Sequence, residues 1–105
     1  MKYRKKPIVI EAVQFENDDF GTKNFHGAFD RYPQWLQEAI TNRMIYFQAY
    51  LTSPPRIFFE VKTLEGVMRL EKGGWLIRGV KGELYPCKDE IFKMTYEKVE
   101  DEREL

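Results

Sequence analysis

Cys87 carries the most reactive side chain in this sequence. It follows Pro86, and Lys88 beside it would favour the thiolate. A thiol nucleophile also needs a base, and His26 is the only imidazole. Nothing in the spacing brings His26 to Cys87, and a lone cysteine is more often a small buried apolar residue. His26 lies in an Asn-Phe-His-Gly stretch and reads as a surface or loop-packing residue. Glu11, Glu60, Glu65, Glu71 and Glu83 offer carboxylates, but acid–base work needs two of them to converge, which spacing does not show. On strands and turns they read as solubilising charge. Gly73-Gly74 and Gly79-Val80-Lys81-Gly82 invite a phosphate-loop reading, yet neither has the Gly-Lys-Ser/Thr ending or the long helix such a loop requires. They read as hairpin turns. What remains is a ligand-binding candidate on one hairpin: Arg78 and Lys81 to meet an anion, with Tyr85 and Cys87 nearby. The sequence points to no catalytic set, metal or cofactor.

The chain around these residues has 105 residues, 43% of them hydrophobic and 15% aromatic, enough for one small domain with a real core. Seventeen Lys and Arg cancel seventeen Asp and Glu, which removes a global electrostatic case for nucleic-acid binding. The charge is uneven: residues 1–6 are basic and the tail 100–105 is acidic, read as solvated ends, the tail frayed. One cysteine excludes an internal disulfide, and one histidine leaves no Cys/His zinc cluster. No apolar run is long enough to span a bilayer, and the start does not read as a signal peptide, so a cytoplasmic location is expected.

Pro7 to Phe15 alternates as a strand buried on much of both faces. The segment 17–31 reads as a loop that Phe20, Phe25 and Phe29 pin to the core. Pro33 opens a helix to about residue 42, with Trp35, Leu36, Ala39 and Ile40 on one face. Met44–Leu51 and Arg56–Thr63 read as strands, and turns at 64–66, 72–74 and 81–82 divide the next residues into Val67–Leu70, Trp75–Val80 and Glu83–Tyr85. Pro86 should end that last strand. A helical turn follows near 89–93 with Asp89 as N-cap, then a final strand over Met94–Val99. The expected fold is α+β: a curved, mainly antiparallel sheet of five or six strands, able to close toward a small barrel, burying Phe58, Trp75, Ile77 and Leu84. Its long strands leave edges through which a homodimer can pair.

The run from Trp75 to Lys88, with Asp89-Glu90-Ile91-Phe92 and Thr95-Tyr96-Glu97 after it, resembles a family of small phage and prophage proteins. The opening Lys2 to Ala12, Trp35-Leu36 and Lys62 to Gly66 are similar to that family too, so the resemblance covers most of the chain. The family tends to have Gly-Asp before the aromatic residue, where this chain has Gly73-Gly74. The resemblance implies a phage or prophage origin, hence a bacterial host cell, and no particular activity.

The expected function is therefore a non-enzymatic accessory protein, a binding module for a host protein or a small anionic metabolite. The alternative is a small nucleotide-acting enzyme with a pocket at the 73–88 hairpin. A weak single-stranded nucleic-acid binder is a further alternative, because Tyr46, Phe47, Tyr50, Arg56, Phe58 and Phe59 interleave aromatics with a cation. A buried sheet core has the same pattern, and with zero net charge nucleic acid is disfavoured.

Overall fold

A computed structural model describes residues 1–4, 6–16 and 29–99. Strand β1 spans Glu11–Gln14, a 3-10 turn spans Phe29–Arg31, and helix α1 spans Gln34–Thr41. Strands β2 (Ile45–Tyr50), β3 (Arg56–Thr63), β4 (Gly66–Leu70), β5 (Trp75–Arg78) and β6 (Leu84–Cys87) follow, then helix α2 (Asp89–Thr95). The α+β class and the antiparallel pairing agree with the sequence. The six strands divide into two three-stranded sheets, ordered β1-β5-β6 and β2-β3-β4, and among the described residues no barrel closes.

Strand alternation explains where each face goes. In β3, Ile57, Phe59 and Val61 turn inward, beside Ile45 and Phe47 of β2 and Leu70 of β4. In the other sheet Val13, Leu76 and Leu84 turn inward to meet them, and α1 adds Leu36 and Ala39. Phe15, just past β1, is fully buried, its ring 5.1 Å from Phe59 and 5.9 Å from Tyr32. Pro33 does open the helix, its carbonyl accepting from the Leu36 and Gln37 amides.

The opposite face of the first sheet holds Gln14, Trp75, Ile77, Tyr85 and Cys87. Helix α2 lies over it. Phe92 stacks flat on Trp75 with centroids 3.8 Å apart and planes 5° apart. Ile77 and Phe58 are fully buried and Leu84 buried, as expected, whereas Trp75 is half-buried at the rim of this layer.

Several boundaries differ from the sequence reading. Residues 7–10 extend past β1 without regular structure, because the partner β5 ends at Arg78 opposite Glu11 and turns away. Val80 belongs to the turn, not the strand: the Gly82 amide returns to the Gly79 carbonyl and the Gly79 amide to Glu83. Gly82 has φ +82°, a backbone state that other residues adopt poorly. Pro86 continues β6 instead of ending it. Given the Gly79–Glu83 hydrogen bond, alternation puts Leu76–Pro86 at a non-hydrogen-bonded pair on an edge strand, where no donor is needed. The strand expected over 94–99 is absent. Helix α2 continues to Thr95, because Phe92 and Tyr96, four apart, reach the aromatic face together. Phe20, Phe25, His26 and the tail 100–105 lie outside the described residues.

Gly74 leaves no room for a side chain in this turn. It is buried, and a Cβ there would come within 2.7 Å of Leu70 Cδ1 and 2.9 Å of the Glu71 carbonyl. Gly74→Ala is expected to lower stability by about 1–3 kcal/mol through overpacking, read as a reduced urea midpoint at unchanged m-value.

Candidate functional site

The register separates the four candidate residues. Arg78 ends β5 on the inward-facing side, next to Leu84 of β6 and opposite Glu11, whose Oε1 accepts from its Nη1 at 3.1 Å. Lys81 is exposed at the hairpin tip, where its backbone amide donates to Glu83 Oε1 at 3.0 Å. Tyr85 and Cys87 point to the other face, under α2. Alternation alone forbids Arg78 and Tyr85, seven residues apart across a hairpin, from sharing a side in this pairing.

Under α2 the chemistry is muted. Burial raises the Cys87 thiol, and its S–H donates to the Lys88 carbonyl at 3.5 Å. Lys88 is exposed and does not activate it. Burial also raises the Tyr85 phenol, helped by Tyr96, whose hydroxyl lies 3.5 Å away. The organising group here is Asp89, which is no N-cap: Lys88 holds that position, and the Asp89 carboxylate turns back onto the sheet. Its Oδ1 accepts from the Trp75 indole N–H (2.9 Å) and Gln14 Nε2 (3.2 Å), and Oδ2 pairs with Lys93 Nζ at 3.0 Å. The indole donor, then Lys93, hold this carboxyl below its usual range. Composition marked Asp89 as a capping residue, and only the fold shows a better donor in Trp75.

Arg78 instead borders a cleft of about 330 Å³ between α1, the β3–β4 turn and the β5–β6 hairpin. Trp35, Ala39 and Leu84 supply apolar lining, and two cations, Arg78 and Lys62, and two carboxylates, Glu38 and Glu83, also border it. Sequence reasoning placed Trp35 on a core face of the helix; its half-exposure at the cleft is visible only once both hairpin turns are in place. Among the described residues no three His, Cys, Asp or Glu side chains gather as a metal site, and no helix is long and apolar enough to cross a membrane. No protein-family model, curated protein or solved structure matches the chain.

Cys87 should alkylate more slowly with iodoacetamide at pH 7.5 than free cysteine does, because a raised thiol pKa leaves less thiolate. A reaction faster than free cysteine would contradict the burial argument. For Asp89, a lowered folded pKa means a contribution fully present above the ordinary carboxyl value of about 4 and lost as pH falls through the lowered one. The Trp75 indole resonance should shift over that acid range, and Asp89→Asn should abolish the shift.

Proposed function

We propose that this chain is a non-enzymatic binding module of phage or prophage origin whose ligand site is the cleft between α1 and the two hairpin turns. The supporting observation is an apolar recess made by Trp35, Ala39 and Leu84 with the Arg78 guanidinium at its border. Arg78 is 41% and Glu11 57% exposed, so their ion pair contributes only about 0–1 kcal/mol and yields readily to a ligand anion. Arg78 keeps further N–H donors for that purpose. Glu38 and Glu83 oppose dense negative charge, which favours a ligand with one anionic group and an apolar body over a polyphosphate. Such a ligand is a small carboxylate metabolite or a side chain of a host protein. The same balance weighs against a nucleotide-acting enzyme at the hairpin. The outer edge of β4, where Val67 and Met68 are 53% and 41% exposed, is the route by which a homodimer would pair.

A thermal-shift screen of apolar carboxylates and nucleotides tests the cleft. The expected result is saturable stabilisation by a carboxylate, about 2.7 kcal/mol at a hundredfold excess over Kd, with no product formed. Arg78→Gln should weaken it at least about tenfold, the scale of one charge-assisted hydrogen bond. Turnover of any screened compound, or stabilisation indifferent to Arg78→Gln, would overturn the reading.

A further inference from the structure

We infer that the outward face of the β2-β3-β4 sheet is a binding surface for single-stranded nucleic acid, a function separate from the cleft. The register sorts the aromatic residues of this region by face. Phe47 and Phe59 turn into the core, while Tyr46, Tyr50 and Phe58 turn outward. The same alternation brings Arg56 of β3 and Arg69 of β4 to that outward face, together with Lys62 of β3, which also borders the cleft. Arg43, just before β2, lays its guanidinium over the Tyr46 ring at 5.4 Å. Against these cations stand Glu60, directly opposite Arg69, and Glu71 just beyond the end of β4. The chain is neutral as a whole, yet this face is positive.

Three features favour a nucleic-acid strand over other polyanions. First, no carboxylate neutralises these cations: among the described residues none of Arg43, Arg56, Lys62 or Arg69 is in an ion pair. Second, the rings and cations form one packed layer. Arg69 lies over Phe58 at 4.4 Å and near Tyr50 at 6.0 Å, and Tyr50 meets Phe58 edge-on at 5.4 Å. Phe58 is 2% exposed and serves as the base of the layer, whereas Tyr50 is 45% exposed and offers its ring. Third, bases stack on aromatic rings and on guanidinium planes, and phosphates then take the remaining N–H donors. Tyr46 and Tyr50 lie roughly 14 Å apart along β2 at about 3.4 Å per residue, so both rings can serve one extended strand.

The test is fluorescence anisotropy with labelled 15-nucleotide oligo-dT and a 15-nucleotide mixed-sequence RNA, at salt from 50 to 200 mM. Binding is expected with a slope of log K against log salt of about −2 to −3, the value for three or four phosphates on a single strand. Arg56→Glu, at an exposed position without an ion-pair partner, should weaken binding at least about tenfold and flatten the slope. Tyr50→Ala should weaken it by a similar factor, about that of one lost stacking contact, with the slope unchanged. Neither residue lines the cleft, so carboxylate binding there should persist in both variants, and loss of one activity does not imply loss of the other. Absence of binding at 50 mM salt, or indifference to Arg56→Glu, would overturn the inference. So would a duplex bound as tightly as the single strand, or phosphatidylserine vesicles bound in place of the oligonucleotides.

Discussion

Strand β5 lies in the middle of its sheet, and its consecutive residues Leu76 and Ile77 are both fully buried although they point to opposite faces. A strand of that kind needs cover on both sides. On one side Leu76 joins the core built with α1 and the second sheet. On the other, Ile77 is enclosed in the layer that Tyr85, Phe92 and Trp75 share with α2. The architecture follows from satisfying both demands in a small chain.

That arrangement disperses the reactive side chains. The inward-facing side of β5 and β6 ends at Arg78 and opens on a cleft of balanced charge, where water and ligand can reach. The helix-covered side receives Cys87 and Tyr85, and desolvation there disfavours the thiolate and the phenolate that chemistry would need. The accessible charged and aromatic side chains therefore lie outside this covered layer, at the cleft and on the outward face of the second sheet.

Charge behaves in the same way. The totals of acidic and basic residues are equal, but alternation in β3 sends Arg56 and Lys62 outward with Phe58, and Ile57, Phe59 and Val61 inward. A property that cancels over the chain is concentrated on one face. Asp89 is a local instance: its carboxylate is more strongly satisfied by the Trp75 indole and Lys93 than by the helix amides beside it, so it ties α2 to the sheet.

The first six strands in chain order, the helix after Pro33, the hairpins marked by glycine and the α+β class were legible in residue periodicity and turn chemistry, which are local. Phe58, Ile77 and Leu84 were recognisable as buried for the same reason. What the sequence could not express was the pairing between distant strands. Pairing set which side of the sheet each of Arg78, Tyr85 and Cys87 faces and divided six strands between two sheets, while packing of Phe92 and Tyr96 against the sheet made Thr95 helical where its own pattern suggested a strand. It also drew Trp35 and Arg78 to one cleft and sorted Tyr50 from Phe59. Such matters depend on contacts between residues far apart in the chain, and only the folded structure decides them.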